Sequence, residues 1–187
     1  MAATAGAGFA RGVALFRGIN VGRAKRIAMA DLRALFVELG LSDPRTVLNS
    51  GNVVFGSARL DAAGAAAVIE AAVLARLGVA SRVTVLDAAA LADMVDGNVL
   101  AALSEDHSRL LAFTLPGQRE HALLAPLAAQ SWGDDRLHLA PHSAYVACPG
   151  GVLDSKLAMT VSKLLGESTT SRNWNTILKL HALCNPG

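Results

Sequence analysis

The chain has 187 residues, 52% hydrophobic but only 4% aromatic, and 17 basic against 15 acidic residues give a formal charge of +2. That length supports one domain or two small halves, and so balanced a charge excludes the broad basic surface of a strong duplex-DNA binder. No run approaches the ~18 apolar residues of a membrane-spanning helix, and the start lacks a signal-peptide pattern, so the expectation is a cytoplasmic protein with no membrane partner.

In chain order, residues 1–8 are small and featureless and are read as a disordered tail. A strand is expected over Gly12–Phe16, then a helix over Ala28–Leu39 with Met29, Leu32, Leu35, Phe36 and Leu39 on one face. Gly40 stops it, and Asp43-Pro44 marks a turn. Strands near Arg45–Leu48 and Asn52–Phe55 flank Ser50-Gly51 as a hairpin. Asp61 caps a helix over Ala62–Leu77, stopped by Gly78, and a strand over Ala80–Leu86 completes a β-α-β-β-α-β order.

The order then recurs. A short helix follows Asp87 and ends near Asp96-Gly97; Leu110–Leu115 is a strand and Gln118–Gln130 a helix. Strands over Arg136–Ala140 and Ala144–Cys148 surround Pro141-His142-Ser143. Ser155 caps a helix through Leu165, an extended piece lies around Ser168–Thr170, and the last helix runs from Trp174 to Cys184. The fold class is therefore α+β: two ferredoxin-like halves with antiparallel sheets covered by helices, an internal duplication. The halves are placed at residues 9–86 and 110–187, with a helical linker region at 87–109.

Polar clusters stand at the ends of the apolar strands. Arg17-Gly18-Ile19-Asn20-Val21-Gly22 follows the first strand, and its glycines permit close approach of backbone to a ligand. Arg17 offers several donors and Asn20 both a donor and an acceptor. With Lys25 and Arg26 they can hold an anion near the start of the first helix, or they can brace the loop by satisfying backbone carbonyls. Asn49, Ser50 and Asn52 are either ligand contacts or ordinary turn formers. Ser155-Lys156 reads as a phosphate contact or as an N-cap followed by a solvated lysine. Arg172 and Asn173, before the last helix, can hold a carboxylate or phosphate, or cap that helix; Trp174 is read as a core anchor.

The glycine spacing fits neither a Rossmann turn nor a P-loop. No G-x-S-x-G elbow is present, and no pair of carboxylates is fixed for acid–base work, so no catalytic residue and no cofactor are named. Cys148 and Cys184 form no Cys-x-x-Cys pair, which argues against a disulfide framework or structural zinc. A metal at His138, His142 and Cys148 would need a ligand from elsewhere, and none is expected.

Phe16-Arg17-Gly18-Ile19-Asn20-Val21-Gly22, Met29-Ala30-Asp31-Leu32-Arg33 and Asn49-Ser50-Gly51-Asn52-Val53-Val54-Phe55, with Ser155-Lys156-Leu157 and Thr169–Ile177, closely resemble the bacterial domain-of-unknown-function family 1697. The resemblance spans Phe9–Cys184 and departs from the family pattern at Arg23-Ala24-Lys25-Arg26. It implies a compact α+β protein of two ferredoxin-like halves and no particular activity. The expectation for function is binding of a small anionic, phosphorylated or nucleotide-like ligand. The alternatives are single-stranded nucleic-acid binding, which wants exposed aromatics beside positive charge, and a non-catalytic partner protein or homodimer. The oligomeric state is not legible.

Overall fold

The computed structural model describes residues 8–21 and 25–185. The tail expected over residues 1–8 falls outside them except for Gly8, as do Gly22, Arg23 and Ala24. Over the described residues, two copies of one chain order are present. The first is β1 (Phe9–Phe16), α1 (Met29–Glu38), β2 (Ser42–Val47), β3 (Asn52–Ser57), α2 (Ala62–Leu77), β4 (Val83–Asp87) and α3 (Ala88–Asp96). The second is β5 (Leu110–Thr114), α4 (Gln118–Ala128), β6 (Arg136–Ala140), β7 (Ser143–Ala147), α5 (Lys156–Leu165), β8 (Ser171–Asn173) and α6 (Trp174–Cys184). Each set makes a four-stranded sheet, in the orders β2-β3-β1-β4 and β6-β7-β5-β8, with every pairing antiparallel. This is the duplicated ferredoxin-like arrangement that the element order implies. Even the helix after the fourth strand is repeated.

Two compact units divide the chain, one running to Leu91 and taking in the last residues from Leu180, the other spanning Ala92–Lys179. In the first, Ala14, Phe16, Val53, Phe55 and Val85 line the sheet face that meets Leu32, Phe36, Ala65, Ile69 and Val73 of α1 and α2. Phe36 and Phe55 meet edge to face at 5.1 Å, the favourable arrangement of two aromatic quadrupoles. In the second, Phe113, Ala144 and Val146 meet Leu124, Leu157 and Val161 of α4 and α5. With few aromatics available, small aliphatic side chains build most of both cores. Among the described residues, no helix is long and apolar enough to cross a membrane.

The helix signals act as the sequence implies. Asp61 Oδ1 accepts from the Gly64 N–H at 2.7 Å, and Gly78, left-handed at φ +67°, closes α2 by donating to Leu74 O. Several strand boundaries differ from expectation: β1 begins at Phe9 rather than Gly12, and β3 runs to Ser57 rather than Phe55. β2 begins at Ser42 rather than Arg45, because Asp43 takes φ +45° and the pairing slips by one residue between Ser42 and Arg45; the expected turn is a β-bulge inside the strand. β4 begins at Val83 rather than Ala80, where Glu70 Oε1 accepts the Val83 N–H at 2.7 Å. The extended piece placed at Ser168–Thr170 is shifted to β8, since Gly166–Ser168 form a single 3-10 turn.

Candidate functional site

β1 and β3 are antiparallel with Leu15 opposite Asn52, so the exit of β1 and the β2–β3 turn must share one end of the sheet. β4 starts there too, with Val83 opposite Phe16. Backbone bonds weld these segments: Phe16 N–H donates to Gly51 O at 2.8 Å and Arg17 N–H to Arg82 O at 2.9 Å. Ser81 Oγ donates to Arg17 O at 3.0 Å. The Arg17 backbone is thus held on both sides while its side chain stays half-exposed.

Asn20 ties the two loops together. Its Nδ2 donates to Ile27 O and to Asn49 O, both at 2.9 Å, and its Oδ1 accepts from Ile27 N–H at 2.9 Å. Its own N–H donates to Lys25 O at 3.0 Å. The backbone adopts the left-handed region at Gly18, Asn20, Lys25, Leu48 and Gly51, a conformation costly for residues carrying a Cβ. At Gly51 (φ +77°) a Cβ would also lie 2.5 Å from Ile19 Cδ1 and 2.7 Å from Phe16 Cβ, so only glycine fits.

The side chains expected to contact a ligand therefore divide into two groups. Arg17, Lys25, Arg26, Asn49 and Ser50 present surface at one end of the first sheet. Asn20 and Asn52 instead belong to the frame. Asn52 is fully buried and donates to Val47 O at 2.8 Å and Ser50 Oγ at 3.1 Å, so its amide is spent on the turn. Ser81 and Arg82 join this end unforeseen, because the apolar stretch around them reads as strand.

Ser155, Lys156, Arg172 and Asn173 belong to the second unit. Ser155, 4% exposed, accepts from the Ala158 N–H at 2.9 Å and donates to Asp135 Oδ2 at 2.7 Å. It is the N-cap of α5, and Lys156 is exposed beside it. Asn173 Oδ1 accepts from the Thr176 N–H at 2.9 Å and from its hydroxyl at 2.7 Å, the geometry of a cap on α6. Of the two readings the sequence leaves open for each, both side chains take up the capping one, their oxygens serving orphaned helix N–H groups. Arg172 stands opposite Ala112, which in turn stands opposite Tyr145. Burial pushes its guanidinium down to about 10, and one of its nitrogens donates to Ser171 O at 2.8 Å. Trp174 is 1% exposed, edge to face with Tyr145 at 6.1 Å, a core anchor.

His138 stacks on Tyr145 at 6.0 Å. Among the described residues no three His, Cys, Asp or Glu side chains gather as metal ligands. Cys148 and Cys184 are buried and unpaired to each other, and burial pushes both thiols up, Cys184 to about 11.

A sheet of this order with such a welded loop end defines an α+β protein of the duplicated ferredoxin-like type. The chain belongs to the family described as Protein of unknown function (DUF1697), whose model matches residues 9–145. That match contains the Arg17 loop and the Asn49 turn and ends before Ser155 and Arg172. A solved structure, that of the conserved bacterial protein SP0830 from Streptococcus pneumoniae, is similar at 21% identity and a TM-score of 0.68, over 94% of this chain and 98% of that one. This likeness concerns the fold. No curated protein matches the chain.

Proposed function

We propose that the loop end of the first sheet binds a small anionic ligand, phosphorylated or nucleotide-like. The observation that supports this reading is the concentration of left-handed backbone there. Of the four non-glycine residues with positive φ among those described, Asn20, Lys25 and Leu48 lie in these two loops. Lys25 and Leu48 each cost on the order of 1–3 kcal/mol there, Asn20 less because asparagine tolerates this region, and strain of this kind gathers where a binding surface must be held in shape. The surface so held carries Arg17, Lys25 and Arg26. The following helix start, at Ala28, lacks a side-chain cap, which leaves backbone N–H groups for an anion; Asp31 in its first turn is the opposing charge.

The strand-binding alternative has little stacking surface to draw on, since of the eight aromatics only Phe9 and Trp132 are partly exposed. Phe16, Phe36, Phe55, Phe113, Tyr145 and Trp174 are each 2% exposed or less, and single-strand recognition draws on exposed aromatic faces. Native mass spectrometry of freshly purified protein, with pyrophosphate titrated as the defined probe, tests the anion reading. A bound mass, or pyrophosphate shifts in the Gly18 and Asn20 amides, should weaken about tenfold or more in Arg17→Ala, as expected for a lost charge-assisted hydrogen bond. No retained mass and no pyrophosphate response at low salt would sink the reading.

A further inference from the structure

The second unit closes the equivalent end of its sheet differently. Leu115 N–H donates to His142 O at 2.9 Å, the counterpart of the Phe16–Gly51 bond. Here, however, only Leu115, Pro116 and Gly117 link β5 to α4, and only Pro141 and His142 link β6 to β7. With so little loop to fill it, the space between the start of α4 and this tight turn is an open groove of about 620 Å³, lined by Gly117, Gln118, His121, Ala122, Pro141 and His142. That volume lies within the roughly 300–1,000 Å³ of small-molecule sites. The backbone bond from Leu115 to His142 fixes the turn against the strand exit, so the groove is formed before anything enters it.

The lining chemistry selects the occupant. His121 on the helix side and His142 on the turn side contribute imidazole side chains to the lining, and Pro141 and Ala122 contribute apolar ones. Gln118 brings a carboxamide, which donates and accepts in one plane. Imidazole rings offer faces for a planar ring to stack upon, and a coplanar donor and acceptor match the edge of a heterocycle. An anion fits poorly. Glu120, 7% exposed in the first turn of α4, has Oε2 3.7 Å from where a Cβ on Gly117 would lie. Its carboxylate answers the positive field of the helix start and would repel a second negative group.

We infer that this groove is a binding site for a neutral planar heterocycle of nucleobase size, carried by a free nucleoside. It is separate from the anion reading of the first unit. The same ring could arrive on a single strand, but its phosphodiesters would come near the Glu120 carboxylate beside Gly117 with no Lys or Arg among the lining residues.

The test titrates adenosine, guanosine, cytidine and uridine into the full chain, following the histidine ring resonances by NMR. At least one nucleoside should shift His121 and His142 together. His142→Ala, at an exposed turn position, should keep the thermal midpoint and weaken binding about tenfold, the scale of losing one stacking partner. Gln118→Ala should reduce discrimination among the four bases. A single-stranded oligonucleotide of the preferred base supplies the source arm: binding no tighter than the nucleoside supports a free ligand, and much tighter binding overturns that assignment. No shift with any nucleoside, or binding unchanged in His142→Ala, overturns the site. Pyrophosphate leaves this groove unshifted whether or not it binds the first unit, so the two readings fail independently.

Discussion

The two sheet ends are built on one topology and differ in how much loop they carry. In the first unit, twelve residues separate Phe16 from Met29, and four, Leu48–Gly51, separate β2 from β3. In the second, three residues and two do the same work. Where described, the longer loops are tied to each other by the Asn20 amide, adopt the left-handed region at several residues, and present guanidinium and ammonium groups. The shorter loops leave a groove with imidazole and carboxamide walls. Duplication thus supplies the same sheet end twice, and loop length decides whether it becomes a charged surface or an open slot. Loops vary more readily than the elements they join, so this is the cheapest place for two copies of a unit to diverge.

The comparison breaks most visibly at the weld. Gly51→Ala forces a side chain into φ +77° and against Ile19 and Phe16. The combined conformational and packing cost is about 3 kcal/mol or more, read as a fall in the denaturant midpoint. The counterpart change, His142→Ala, removes only an exposed side chain and should stay within about 0.5 kcal/mol. Equal losses at the two positions would mean that the welds are not built differently. Asn20→Ala comes next. It removes three hydrogen bonds at a left-handed position, and about 2–3 kcal/mol should be lost. Asn20→Asp keeps the acceptor for Ile27 N–H but loses both donors, so it should fall between wild type and Asn20→Ala. Amide exchange should quicken at Ile27, and an unaltered rate there would remove Asn20 from its bracing role.

The repeated element order was legible in the sequence because apolar periodicity and stop signals agree. Asp61, Gly78 and Ser155 mark helix ends that the structure reproduces within a residue. The bulge at Asp43 was not legible, since Asp-Pro is as good a turn signal as any, and only pairing against Gly56 and Val54 reveals an extra residue. Within the candidate site, residue types announced the loops but not the division of labour. Asn20 and Asn52 carry the same amide as Asn49, and what makes them frame is where their partners lie, Ile27 O and Val47 O. The His121 and His142 groove was missed because its lining is split between a helix start and a turn about 20 residues apart, with no local motif.

A smaller effect checks the caps. Ser155→Ala should cost about 1–2 kcal/mol, because the Ala158 N–H loses its acceptor and Asp135 its donor. Ser155→Asp, which can still cap, should recover less than usual for such a swap, since it faces Asp135. If Ser155→Ala instead abolished ligand retention without changing stability, the residue would return to the candidate contacts.

The smallest effect lies at the far end of the first sheet from the Arg17 loop. Asp43 accepts from Arg11 at 2.8 Å and from Arg45 at 3.0 Å, on exposed surface. The Arg11 guanidinium, and then that of Arg45, holds its carboxyl below the ordinary carboxylate value. A folded-state value below the unfolded one means that the folded chain binds protons less readily. The ion pairs therefore add stability at any pH above the unfolded value of about 3.9, and the contribution fades as pH falls through the depressed folded value. Asp43→Asn suits the test because asparagine tolerates the left-handed backbone at φ +45°. The stability difference between wild type and this variant should be level from neutral pH down to about pH 5 and close progressively below pH 4. Salt should shrink it throughout, as for any exposed pair. A difference that stayed constant into acid would show that Asp43 shapes the bulge through its backbone and not through its charge.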